Sequence, residues 1–283
     1  MTDIIRTIRE LRARVSNWRS HGETVALVPT MGDLHEGHLS LVRRGKELCA
    51  RTIVSVFVNP TQFGPGEDFE KYPRREAEDF AKLETIGADV MFAPGVAEMY
   101  PAGFDATIAI GGVTSMLEGA IRPGHFEGVA TVVAKLFGMA TPDIACFGEK
   151  DYQQLKVIEK LVRDLDMPVR IEPCPIARAE DGLALSSRNR YLDERQRAIA
   201  GRLNRILFET ARRIESEPNQ FKSILEGGRA AIRAAGFDSV DYLTLVDAET
   251  LAPIEKLQKT ARLLVVARLG QTRLLDNAEV TCR

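Results

Sequence analysis

Apolar side chains recur at three- and four-residue intervals near the start of the chain, at Ile4, Ile5, Ile8, Leu11, Val15 and Trp18. This is the period of a helix with one buried stripe, predicted over residues 4–18. Residues 24–29 (TVALVP) are instead short, β-branched and uncharged, as expected of a buried parallel strand. The two signatures then alternate: helices are expected over 39–50, 75–86 (stopped at Gly87), 129–139 and 152–165, and strands over 52–58, 89–92, 143–147 and 169–171. Such alternation predicts an α/β fold with a doubly wound parallel sheet. From Asp193 the pattern changes to helices rich in Arg and Glu over 193–216 and 219–235, followed by strands over 239–246, 262–269 and 272–276. Two domains are therefore expected, a larger one over 1–176 and a smaller α+β C-terminal one over 177–283.

The chain has 283 residues, 45% hydrophobic and 28% charged, enough apolar material for both domains and unlike disordered or fibrous chains. Its 38 Lys and Arg against 40 Asp and Glu leave a formal charge of −2, so an extended nucleic-acid partner is not expected. No apolar run approaches the roughly 18 residues of a membrane helix, and Arg6, Arg9 and Glu10 interrupt what would be the apolar part of a signal peptide. A soluble cytoplasmic protein, with no membrane partner, is the expectation. Cys49, Cys146, Cys174 and Cys282 form no CxxC pair and read as reduced thiols, mostly core filler.

Candidate chemistry concentrates where strands end. PTMGDLHEGH at 29–38 follows the second predicted element and runs into a helix, the place where open α/β sheets bind ligands. A helix starting near His38 offers unpaired N–H groups to a phosphate, Gly32 and Gly37 permit close approach, and His35 and His38 share a face from which imidazoles can donate to phosphate oxygens. A zinc pair and a simple helix cap are the competing readings. NPTQFG at 59–64 supplies Gln62, able to donate and accept toward a substrate carrying both hydroxyl and carboxylate. In RPGHF at 122–126, Arg122 can hold an anion, although turn chemistry alone explains Pro123 and Gly124. FGEKDYQQ at 147–154 repeats the strand-end geometry, with Lys150 as a mobile charge for phosphate and Asp151 and Gln154 on one helical face. Ser186, Ser187 and Arg188, in a loop with Gly182, can wrap a triphosphate; a short polar turn is the bland alternative. Neither GxxxxGK[ST] nor a strand-linked GxGxxG is present, which argues against a P-loop and against nicotinamide binding.

The His-x-x-His turn and the Ser-Ser-Arg loop together resemble the HIGH and KMSKS signatures of nucleotidyltransferases and class I aminoacyl-tRNA synthetases. More narrowly, PTMG…HEGH, FVNPTQFG (57–64), YPR (72–74), RPGHF, GEKDYQQ (148–154) and LSSRNRY (185–191) resemble, in order, the motifs of the pantothenate synthetase, or pantoate–β-alanine ligase, family. Asp33 lies where that family tolerates variation, and Leu185 where some members carry Met. The resemblance implies a Rossmann-like domain in which ATP activates pantoate as an acyl adenylate with loss of pyrophosphate, after which β-alanine attacks to give pantothenate and AMP. It further implies ATP contacts from Met31, Gly32, Asp33, Leu34, His35, Glu36, Gly37 and His38, from Gly148, Glu149, Lys150 and Asp151, and from Ala177, Leu185, Ser186, Ser187 and Arg188. His38 would be the proton donor, with His35, Lys150, Ser186, Ser187 and Arg188 also catalytic. Gln62 and Gln154 would hold pantoate, Gln62 also lying near β-alanine. Mg2+ would bridge the phosphates on ligands the resemblance does not identify, and a homodimer is implied. Another adenylyltransferase of this fold, or a catalytically silent nucleotide-binding module, are the rival readings, the first opposed by Gln62 and the pair Gln153 and Gln154. A tRNA-linked synthetase is disfavoured by the charge balance and the length.

Overall fold

The computed structural model describes residues 1–282, which fold as two compact units: Met1–Glu149 with Gln153–Pro175, and Lys150–Tyr152 with 176–282. In the first unit the chain runs β1 (Asp3–Ile5), α1 (Ile8–Ser20), β2 (Val25–Thr30), α2 (Glu36–Leu48), β3 (Arg51–Val56), α3 (Glu76–Ile86), β4 (Val90–Phe92), α4 (Val96–Met99), α5 (Glu118–Ile121), α6 (His125–Ala140), β5 (Ile144–Gly148), α7 (Tyr152–Asp164) and β6 (Arg170–Cys174). The strands form one parallel sheet in the order β1-β4-β3-β2-β5-β6. Ala26 and Val28 of β2 pack with Leu41 and Val42 of α2, Val54 and Met91, and Gly45 lets α2 lie close, since a Cβ there would stand 3.1 Å from the Ala26 methyl.

The first expected helix is two elements. Ile4 and Ile5 belong to β1, paired with Met91 and Phe92. Thr7 then starts α1 through a capping box, its Oγ1 accepting the Glu10 N–H at 3.2 Å. Elsewhere α2 and α6 begin earlier than their apolar periodicity suggests, and Gly87 ends α3 in the left-handed conformation (φ +71°).

The second unit carries α8 (Glu194–Ala200), α9 (Arg202–Ser216), α10 (Phe221–Ala234) and the antiparallel sheet β7 (Ser239–Asp247), β8 (Ala261–Leu269) and β9 (Thr272–Val280). Its core is Leu203, Leu207 and Ile214 of α9 with Ile224 and Ile232 of α10 against Leu243, Leu263 and Val265. The single helix expected over 193–216 is interrupted at Gly201, where a Cβ would lie 2.2 Å from the Asp181 carboxylate. Cys49, Cys146 and Cys174 are buried and Cys282 is exposed, all as free thiols.

Candidate active site

In the first unit β2 is flanked by β3 on one side and β5 on the other, although β5 comes much later in the chain. The sheet therefore changes its direction of growth at β2, and the loops after β2, β3 and β5 leave from one carboxyl edge. Such a switch point opens a crevice for ligands.

The loop after β2 is held from below. Asp79 of α3 is wholly buried, and its two carboxylate oxygens accept the backbone N–H groups of Asp33 at 2.8 Å and Leu34 at 2.7 Å. Burial raises the Asp79 pKa, while those N–H groups and Lys82 pull the other way. Gly32 donates to Thr30 Oγ1. Gly32 and Asp33 are successive left-handed residues (φ +84° and +49°), and a Cβ on Gly32 would press on Asp79 Oδ2 and Val56 at 3.1 Å. Of the loop positions, Gly32, Asp33 and Leu34 are thus buried, with their N–H groups already engaged within the protein.

From this base α2 starts with a capping box made of two histidines. His35 is the N-cap and its Nδ1 accepts the Gly37 N–H at 3.1 Å, while His38 Nδ1 accepts the His35 N–H at 3.3 Å. The rings lie 4.1 Å apart between centroids. The capping reading is therefore correct as far as it goes, but it uses Nδ1 only. An Nδ1 that accepts leaves the proton of a neutral imidazole on Nε2.

Gln62 ends the 3-10 turn Pro60–Gln62 after β3, and its amide is oriented at both ends: Oε1 accepts from Asn59 Nδ2 at 3.1 Å and Nε2 reaches Met31 Sδ at 3.1 Å. The β2 and β3 loops thus meet. Tyr100 donates to Asn59 Oδ1 at 2.7 Å. Beneath the turn, His125 Nδ1 is 2.8 Å from the Gln62 carbonyl and its Nε2 is 3.1 Å from Arg122 Nη1. Burial, then Arg122, depresses the His125 pKa, and a carbonyl against Nδ1 with a guanidinium against Nε2 fits a ring carrying its proton on Nδ1. The anion that Arg122 holds is the protein's own Glu67, at 2.6 Å. Burial works against the Glu67 charge, but Arg122 outweighs it and keeps the pKa low.

Gly148 closes β5 beside β2, and Gln154 stands half-buried in the first turn of α7. Gln153 plays another part. Buried, it accepts from Glu118 N–H at 3.0 Å and donates to the Val113 and Met116 carbonyls at 2.8 Å. It is a structural tie, not half of a substrate-reading pair.

Of the remaining sequence candidates, Glu36, which pairs with Arg43, and Glu149 lie in the first unit, and the others lie in the second. Lys150 Nζ is 3.4 Å from Asp151 Oδ1, and its carbonyl accepts from Asn277 at 3.0 Å. Ala177 and Leu185 bond through the backbone at 3.0 Å and close a hairpin, which Arg178 anchors to the buried Asp276 at 2.7 and 2.8 Å. Ser186 comes next, capping the 3-10 helix Ser187–Tyr191 by accepting the Arg188 N–H at 3.3 Å. Asp79, Lys82, Asn59 and Tyr100 were not singled out in the sequence; only the acidic and basic positions at a three-residue interval in α3 hinted at the first two. Among the described residues, no group of three or more His, Cys, Asp and Glu side chains that could hold a metal is assembled.

Comparison with known proteins adds an independent line. The sequence profile of the Pantoate-beta-alanine ligase family matches residues 3–279. The pantothenate synthetase of Paramagnetospirillum magneticum is 55% identical over 277 residues, covering 98% of this chain and 97% of its own length. That of Cereibacter sphaeroides is 54% identical and covers 99% and 100%. A crystal structure of pantothenate synthetase from Thermus thermophilus superposes with a TM-score of 0.93 at 48% identity, covering 99% and 100%. The pantoate-beta-alanine ligase of Francisella tularensis, solved in complex with beta-gamma ATP and beta-alanine, gives 0.83 at 33% identity, covering 98% and 97%.

Proposed function

The chain belongs to the pantoate–β-alanine ligase family, and from that premise we infer that it joins pantoate to β-alanine at the expense of ATP, through a pantoyl adenylate, releasing pyrophosphate and AMP. The pantoate carboxylate is ionised near pH 7, so its attack on the α-phosphate needs alignment and charge stabilisation more than a base. The observation that carries this reading is the His35 and His38 pair at the start of α2, both rings accepting at Nδ1. Their Nε2 protons are then the donors toward phosphate oxygens, with the partial positive charge of the helix start behind them. His38 is the proton donor of the pair. Gln62, its amide already oriented, and Gln154 hold pantoate; the weak contact to Met31 sulfur is readily exchanged for a substrate oxygen.

Lys150, Ser186, Ser187 and Arg188 are assigned to the triphosphate, and Ala177 and Leu185 to the nucleotide. Mg2+ arrives with the triphosphate, held by phosphate oxygens and water, and no protein ligand is assigned to it. In the second step the β-alanine amine, with a free pKa near 10, must give up a proton as it attacks. A cytoplasmic homodimer is the proposed working form; no described helix is long and apolar enough to cross a membrane.

The test is pyrophosphate release and AMP formation with Mg2+, ATP and pantoate, with and without β-alanine, for the wild type and His38→Ala. Pantoate-dependent pyrophosphate and β-alanine-dependent AMP are expected, with a loss of about 10²- to 10⁴-fold in the variant. Folded, ATP-binding protein without pantoate dependence would redirect the assignment to another adenylyltransferase.

A further inference from the structure

One peptide group links α3 to the proposed proton donor. Lys82 Nζ donates to the Leu34 carbonyl at 2.7 Å; the N–H of the same peptide, on His35, donates to His38 Nδ1 at 3.3 Å. Three residues earlier on α3, Asp79 accepts the N–H groups of Asp33 and Leu34. Lys82 and Asp79 therefore grip both sides of the Leu34 residue, and the peptide they hold delivers its N–H to the imidazole.

We propose that Lys82 and Asp79 are positioning residues for adenylation, fixing His38 in the tautomer with its proton on Nε2. The proposal rests on the adenylation role of His38. A cation on the carbonyl polarises the peptide and strengthens its N–H as a donor, because hydrogen bonds in a chain reinforce one another. That donor occupies Nδ1 and leaves Nε2 as the protonated nitrogen. Asp79 supplies the second constraint. Two consecutive N–H groups meet one carboxylate, a demand that an amide cannot satisfy, since it presents only one acceptor and turns a donor toward the other N–H. The grip also sustains the left-handed backbone at Asp33 (φ +49°), a conformation that costs about 1 kcal/mol or more for a side chain with a Cβ and persists only where the surroundings impose it.

Lys82→Met removes the polarising donor while keeping the stem of the side chain, and Asp79→Asn tests the second grip. Full-length protein labelled with 15N at histidine reports the His38 tautomer, and pantoate-dependent pyrophosphate release reports adenylation. Lys82→Met is expected to lower kcat about 10-fold with KM for ATP changed less than about twofold, to retain the wild-type Tm within a few degrees, and to move the His38 ring signals toward a mixture of tautomers. Asp79→Asn is expected to do the same with a lower Tm. Wild-type kcat and unmoved His38 signals in Lys82→Met would overturn the proposal, as would an activity loss that tracks Tm while the His38 signals stay put. Wild-type protein without pantoate-dependent pyrophosphate release would defeat the functional reading instead, and the ring signals would still decide whether the grip sets the tautomer.

Discussion

Gly128 decides how closely α6 approaches the turn that carries Gln62: a Cβ there would meet the Thr61 carbonyl oxygen at 2.4 Å and the Gln62 nitrogen at 2.7 Å. Both are backbone atoms, so the turn itself must give. Gly128→Ala is expected to cost about 1–3 kcal/mol and to raise KM for pantoate, measured by urea unfolding and substrate saturation; unchanged values in both would show that the turn yields freely. Asp247 gives a second test. Its carboxylate, hydrogen-bonded first by Lys259 at 2.7 Å and then by the N–H groups of Thr250 and Glu249, has its pKa well below the usual range. A depressed pKa contributes stability that is present above the unfolded value of about 3.9 and is lost as pH falls toward the folded one. The stability gap between wild type and Asp247→Asn is therefore expected to narrow from pH 7 to pH 3, read from urea midpoints; a constant gap would discard this linkage. At this scale the placement of the histidines and Gln62 in loops at strand ends was legible because the turn residues follow directly on buried strands. Gln153 and Gln154, being adjacent and identical, were not separable by type; only the carbonyls and the N–H around Gln153 assign it to the scaffold.

Among the elements, the hairpin preceding Ser186 is tied down by an ion pair with a buried partner. Arg178 forms two hydrogen bonds to Asp276, whose side chain is 2% exposed, and a third to the Gly182 carbonyl. Removing one partner strands a buried charge, so Arg178→Met is expected to cost about 3–5 kcal/mol of second-unit stability, followed by denaturant unfolding, and a second change of Asp276→Leu should recover part of it. A loss under about 1 kcal/mol would mean that water reaches Asp276. Element by element, apolar pattern located β2, β3, β5 and the helices between them, because strands buried on both faces stand out from their neighbours. It misplaced the start of α2, where a histidine supplies the cap, and merged β1 with α1, since Ile4 and Ile5 fit either period. The interruption at Gly201 was not legible, since the close neighbour that admits only a glycine there, Asp181, lies twenty positions away in sequence.

For the molecule as a whole, an α/β sheet followed by an α+β unit was legible in the order of the elements. How the 147–154 motif is divided was not, because the assignment depends on Asn277 and other partners far along the chain. Adenylate must be kept from water, and we propose that the loop at 185–188, assigned above to the nucleotide, tightens when substrates bind. Amide exchange at residues 186–189 is then expected to slow when ATP and pantoate bind together; equal exchange rates with and without them would remove the proposal. Sedimentation of the purified protein tests the homodimer, with the monomer mass of 31.3 kDa as the reference.

The assignment of Lys150–Tyr152 to the second unit bears on inheritance as well as on folding. The Lys150 carbonyl receives Asn277, and Tyr152 donates to the Ala248 carbonyl at 2.9 Å with Arg262 over its ring. A crossover that exchanged only the chain beyond Pro175 would deliver a C-terminal unit missing three of its own residues, and would leave their foreign equivalents at the other parent's junction of β5 and α7. Lineages could therefore trade this C-terminal part intact only by two exchanges at once, so the two units are expected to have descended together.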